Sequence, residues 1–247
     1  CEDSVPITWR LEVFDHHSKA LGYKTEMCVL TPYQNDEPYP VRSCIFSLHG
    51  SNRENTSVNH AERITPHIKQ AVAEGIIEPI VVVFPSNGGA RADQNWHRSP
   101  VVDMLEEEIF PEVPVGYRPT GVIHQGLHGH SLGGQAQYIF EHRPQVTSCT
   151  VTAGVSRPRE ALITGCRNLT RAYIGHHLFD PTNPITVPAF DDWMRNSCGR
   201  LEMSGTLLTE EAVCEENYHA EECLHRLLYK EIWKTHQNAI DDMEVKK

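Results

Sequence analysis

The sequence contains no long apolar run. Ile80-Val81-Val82-Val83-Phe84 is the most continuous one near the start of its core. That is far short of the ~20 residues that a membrane-spanning helix needs. No secretory leader is read from it, and the chain begins at Cys1 without methionine, as a processed or trimmed product would. Positive charge is also scarce: Lys plus Arg number 22 against 33 Asp plus Glu, a net −11 with histidine neutral. Nucleic-acid binding, which depends on neutralising phosphates, is disfavoured, and no polybasic membrane patch is present. CxxC pairs are missing although the chain has 8 cysteines, so neither a zinc nor a dithiol redox motif is indicated. Repeats, low-complexity tracts and linkers are absent too, and residues 1–247 read as one domain.

What the chain does contain is an alternation of strands and helices. Near-alternating apolar residues at 7–30 (Trp9, Leu11, Val13, then Tyr23, Met27, Val29) predict N-terminal antiparallel edge strands. Residues 31–40, rich in proline, Asn35 and Asp36, read as a turn-rich link. Strands are expected at 41–48, 80–84, 121–126, 146–153, 169–174 and 201–207. Helices are expected at about 66–74, 101–110, 135–142 and 187–194, with a long helical region over 209–243. Fully apolar runs such as 80–84 suit buried parallel strands. The whole pattern predicts an α/β fold, a mostly parallel sheet with helices on both faces. Cys44 and Cys149 sit in strand-like runs and read as buried thiols; Cys166, Cys198, Cys214 and Cys223 read as disulfide candidates. With glycosylation sequons at Asn55 and Asn168, they tilt the expected compartment toward a secreted or extracytoplasmic one.

The chemistry centres on Gly129-His130-Ser131-Leu132-Gly133, a G-x-S-x-G pattern. Glycines flank a serine where a strand must turn sharply into a helix, which exposes the hydroxyl and places the next amide, that of Leu132, toward an oxyanion. Upstream, the strand ending in Ser47-Leu48 delivers His49-Gly50-Ser51, where a second oxyanion amide is expected at Ser51. His49, Gly50, Trp96 and His130 are candidate substrate-lining residues.

These blocks resemble the esterase D and feruloyl-esterase branch of the α/β-hydrolases, which also includes S-formylglutathione hydrolases and mycolyltransferases. The matching text is Tyr39-Pro40-Val41 leading to Leu48-His49-Gly50, then Ile80 to Gly89 with its Pro85-Ser86-Asn87-Gly88-Gly89 loop, then Gly129 to Gly134. The likeness covers about residues 20–145 and weakens beyond Val151, where the family's glycine-rich turn beside its catalytic histidine is missing. It implies an α/β-hydrolase domain and ester hydrolysis, or acyl transfer through the same nucleophile.

A serine hydroxyl needs a base near neutral pKa, and that base needs an acid to orient it; in this fold the chain order is Ser, Asp or Glu, His. Asp180, on the loop after the 169–174 strand, is the first candidate acid, with Asp191 and Asp192 as alternatives on a helix. His219, the first histidine beyond the 201–207 strand, is the candidate base. His225 is its alternative, although His225 and His236 look like polar-face helix residues. His176-His177 is not read as a metal site, because adjacent residues of an extended chain face opposite ways. The expected activity is therefore serine-dependent hydrolysis of a small-molecule or carbohydrate-linked ester through an acyl-enzyme, with no cofactor. A non-catalytic binding protein on a hydrolase scaffold is the remaining reading.

Overall fold

The structure is a computed structural model that describes residues 6–50, 57–87, 96, 99–111, 124–134, 146–153, 171–180, 185–189, 191, 202–209 and 220–245. Its strands are β1 (Thr8–Ser18), β2 (Tyr23–Gln34), β3 (Glu37–Pro38), β4 (Ser43–Leu48), β5 (Val81–Pro85), β6 (His124–His130), β7 (Val146–Thr152), β8 (Arg171–His177) and β9 (Glu202–Leu208). They form one nine-stranded sheet ordered β1-β2-β5-β4-β6-β7-β8-β9, with β3 paired to β2. The β1–β2 and β2–β5 pairs are antiparallel, and every pair from β5–β4 to β8–β9 is parallel. This is the α/β-hydrolase architecture.

The edge strands form where the alternation predicts them, but β2 runs on through Thr31, Pro32 and Tyr33 instead of ending in a turn-rich link. The turn is confined to Asn35 and Asp36, at φ 54° and 64°. That left-handed pair is the geometry of a tight two-residue hairpin.

Helix α1 spans Ser57–Ala73 and encloses Pro66. The expected helix began at Pro66, because proline favours a first turn. The actual helix starts earlier because Ala61, Ile64, Ile68 and Ala71 form one buried stripe. Burial of that stripe offsets the hydrogen bond that an internal proline removes.

Helix α2 (Ser99–Asp103) continues into a π-helical stretch at Met104–Ile109. Helix α3, Glu221–Val245, is the C-terminal element. Strand β6 begins at His124 and runs to His130, later than the expected 121–126. The expected helix at 135–142 lies outside the described residues.

Strands β4 to β8 are buried on both faces, as a parallel sheet between two helical layers requires, whereas the edge strand β9 is part-exposed. On one face Val29, Phe46, Val83 and Leu127 pack against Val101, Leu105, Ile109 and Phe110. On the other, Cys28, Ile45 and Val82 pack with Ile64 and Ile68 of α1 and with Leu224, Ile232 and Trp233 of α3. Cys28, Cys44 and Cys149 are buried cysteines outside any disulfide, whereas Cys223 is disulfide-bonded.

Strand order reverses direction beside β4: the chain passes from β4 outward to β5, then crosses back to β6 on the other flank. In open α/β sheets such a switch point opens a crevice beyond the carboxyl ends of the strands, where ligands bind.

Candidate active site

At that switch point β4 and β6 run parallel in register, Ser47 beside His128 and Leu48 beside Gly129. Their carboxyl ends therefore bring His49-Gly50 alongside His130-Ser131. Ser131 opens a helical turn over Ser131–Gly134 immediately after β6. Its φ is +51°, a left-handed conformation that costs a non-glycine residue roughly 1–3 kcal/mol and concentrates at functional sites.

The flanking glycines account for the shape of the bend. A Cβ on Gly129 would lie 2.1 Å from the Gly133 carbonyl oxygen, and a Cβ on Gly133 would lie 2.0 Å from that of Leu48. The obstacles are backbone atoms, so no rotamer change relieves them. Strand, turn and neighbouring strand fit only if both positions lack side chains. Ser131 itself is 5% exposed, and Leu132 packs half-buried against the adjoining core.

Trp96 fixes the facing loop. Its indole is fully buried and donates its Nε1–H to the His49 carbonyl at 2.9 Å, and its ring meets the His49 imidazole edge-on at 5.0 Å. His49 Nδ1 lies 2.7 Å from the Gly50 carbonyl oxygen, so that nitrogen carries the proton and donates. Burial lowers the His49 pKa to about 4, with the Gly50 carbonyl opposing the shift. His49 is therefore neutral at pH 7 and braces its own loop.

Asp180 stands beyond the end of β8, with β7 between β8 and β6. It is 1% exposed, and its backbone N–H donates to the His177 carbonyl at 3.1 Å. A buried aspartate on the loop after this strand is where the acid is expected. Asp191 is half-buried on a helical turn. Ser51, Asp192 and His219 lie outside the described residues.

His130 is hydrogen-bonded through Nδ1 to Thr152 Oγ1 at 3.0 Å. It belongs to a buried polar layer that the sequence reading missed. His128 Nδ1 bonds Thr150 Oγ1 at 2.8 Å, and Thr150 Oγ1 bonds His236 Nε2 at 3.0 Å. His236 Nδ1 bonds Ser148 Oγ at 2.7 Å, and Ser148 Oγ bonds His124 Nε2 at 3.0 Å. His128 Nε2 meets His225 Nε2 at 3.0 Å.

His225 and His236 are fully buried, not polar-face residues: they lie on the side of α3 that covers β6 and β7. Two imidazoles that share one hydrogen bond cannot both carry a second proton there. Burial is nevertheless the larger cause of the low pKa values, about 4 for His124, about 3 for His128 and well below normal for His225 and His236. The sequence did carry a signal for this layer. His124, His128 and His130 fall on one face of β6, and Ser148, Thr150 and Thr152 on one face of β7. Among the described residues no His, Cys, Asp or Glu group is arranged to hold a metal ion.

No family model matches this sequence, and no curated protein does. Solved structures do. A ferulic acid esterase superposes with a TM-score of 0.73 at 17% identity, over 94% of this chain and 99% of that one. An S-formylglutathione hydrolase from Agrobacterium tumefaciens gives 0.63 at 15%, over 93% and 95%. An IroE-like serine hydrolase from Shewanella oneidensis gives 0.65 at 14%, over 94% and 81%. Across that span the chain has the fold of these α/β-hydrolases.

Proposed function

We propose that this protein is a serine esterase that works through an acyl-enzyme. The observation that carries the reading is the bend at Ser131. A non-glycine residue is held at φ +51° between two glycines that admit no Cβ, beside the His49-Gly50 loop of the adjacent strand. Nothing in core packing calls for a strained serine there, whereas an acyl-transfer nucleophile needs that placement.

In this reading Ser131 Oγ attacks the ester carbonyl while His219 takes its proton, and Asp180 orients the imidazole and stabilises its charged form. The amides of Leu132 and Ser51 receive the negative charge that develops on the carbonyl oxygen, the largest electrostatic contribution to such reactions. His219 returns the proton to the departing alcohol, and water then releases the acid by the reverse sequence. Gly50, His130 and Trp96 shape the surroundings of the acyl group.

The similarity to structures named for ferulic acid and S-formylglutathione supports a small-molecule ester as substrate, attached through oxygen or sulfur. The disulfide at Cys223 supports an extracytoplasmic setting.

The test is hydrolysis of 4-nitrophenyl acetate and of phenolic and glycosyl esters by the wild type and by Ser131→Ala. Wild-type turnover that disappears in the variant is expected. Turnover retained by Ser131→Ala excludes the reading, and acyl transfer to an added alcohol with no free acid formed would make the protein an acyltransferase instead.

A further inference from the structure

A second Ser–His–acid chain lies in the core, away from the bend. Ser47 Oγ is hydrogen-bonded to His60 Nε2 at 2.9 Å, and His60 Nδ1 lies 2.7 Å from Glu221 Oε1. It has the connectivity of a catalytic triad but not the access: Ser47 and His60 are both 0% exposed and Glu221 is 4% exposed. Ser47 also sits in a regular strand, inside β4, so its hydroxyl is not presented to any crevice. A nucleophilic role is excluded by burial alone.

The three residues come from three elements, and two of these lead into the proposed active site. Ser47 lies on β4 just before His49-Gly50. Glu221 is the first residue of α3, whose opening hydrogen bond runs from Leu224 N–H to the Ala220 carbonyl at 3.1 Å. The segment that bears His219 is joined directly to that first turn. His60, on α1, is held in place by Phe84 of β5, ring edge to face at 5.5 Å. Both nitrogens of one rigid, planar ring are thus occupied, one by the strand that leads to the oxyanion loop and the other by the helix that follows the base.

Burying such a pair is a poor way to add stability, because desolvation consumes most of the attraction and an apolar replacement is often as stable. A hydrogen bond to Ser47 on one side of the ring and a close ion-pair contact with Glu221 on the other do, however, restrain relative position. We propose that His60 and Glu221 are positioning residues for ester hydrolysis, with Ser47–His60–Glu221 setting the start of α3 against the strand that carries the His49-Gly50 loop. This rests on the esterase reading above.

Arg63 Nη1, 3.9 Å from Glu221 Oε2, is a secondary restraint on the same carboxylate. Burial pushes the Glu221 carboxyl up, but His60, His130 and His225 together hold it below the usual range, so it stays ionised.

The experiment compares wild type with Ser47→Ala, Glu221→Gln and Glu221→Ala, scoring kcat and KM for 4-nitrophenyl acetate beside the thermal midpoint. Misplacing a catalytic group by about 1 Å costs on the order of 100-fold in rate. Glu221→Ala is therefore expected to lose about 10- to 100-fold in kcat with KM within about threefold. Glu221→Gln keeps an acceptor for His60 Nδ1–H and should recover part of the loss, and Ser47→Ala should lose about three- to tenfold. If Glu221→Ala fails to fold, the order wild type, Glu221→Gln, Ser47→Ala decides. Folded variants with wild-type kcat overturn the inference, as does activity that falls only in proportion to the unfolded fraction. A wild type that hydrolyses no ester through Ser131 fails the esterase reading itself, and this inference with it.

Discussion

Replacing Gly133 with alanine is the sharpest perturbation the bend allows. The new methyl carbon would lie 2.0 Å from the Leu48 carbonyl oxygen and 2.9 Å from that of His49. Ordinary contact for such atoms begins near about 3.5 Å, so the bend and β4 must separate by about 1.5 Å. Neither side yields cheaply, because Leu48 is paired in register with Gly129. Overpacking of this kind costs about 3 kcal/mol, the upper part of the usual range. For a chain of this size that lowers the thermal midpoint by roughly 6–12 °C. The separation falls between the Leu132 amide and the Gly50 loop, so kcat/KM for 4-nitrophenyl acetate should drop about 100-fold even in the folded fraction.

Gly22→Ala is the control. Gly22 has a positive φ, +71°, which Gly133 lacks, and open space lies around it. That substitution should cost about 1 kcal/mol of backbone strain and leave turnover unchanged. Differential scanning fluorimetry and steady-state kinetics on the two variants suffice. A Gly133→Ala protein with the midpoint and kcat/KM of wild type would refute the claim that this bend is closed by backbone contact.

Further outcomes concern acidity, the polar layer and the proposed acid. His49 and His124 are held neutral with pKa values near 4 and His128 near 3, while the unfolded chain binds those protons near pH 6.5, so stability is full above about 6.5 and falls as pH drops. At pH 5 the loss is about 2 kcal/mol for each of these side chains, and urea midpoints that stay flat from pH 7 to 5 would contradict their burial as neutral groups. His236→Ala should cost about 3 kcal/mol by urea titration, because it opens a cavity and removes one partner each from the Ser148 and Thr150 hydroxyls; a loss below about 1 kcal/mol would show that the layer is not packed as described. Asp180→Asn should lower kcat by about 10⁴ with the midpoint nearly unchanged, and a kcat within tenfold of wild type would move the acid elsewhere, to Asp191 or Asp192.

The sequence makes the sheet legible wherever burial is symmetrical. Runs such as Val81-Val82-Val83-Phe84 have only one place in an α/β fold, and the G-x-S-x-G text specifies a bend that needs glycine on both sides of Ser131. Elements whose character depends on tertiary partners were harder to read. Residues 57–65 look like polar loop because His60 and Glu62 interrupt them, yet His60 is buried by its contacts with Ser47 and Glu221. His225 and His236 look solvated because imidazole is polar, and only the polar face shared by β6 and β7 explains their burial, through His128 and through the Ser148 and Thr150 hydroxyls. They stand eleven positions apart, about three helical turns, so both fall on one stripe of α3. Local propensity carries no information about a polar layer shared between a helix and a sheet; the paired alternation on β6 and β7 does.

The most direct test of the central claim is covalent. Wild-type protein incubated with a fluorophosphonate should gain one adduct by intact mass spectrometry, and peptide mapping should place it on Ser131. The adduct should be absent from Ser131→Ala and from heat-unfolded protein. A wild type that stays unmodified, or one modified at another serine with Ser131 intact, would contradict the account.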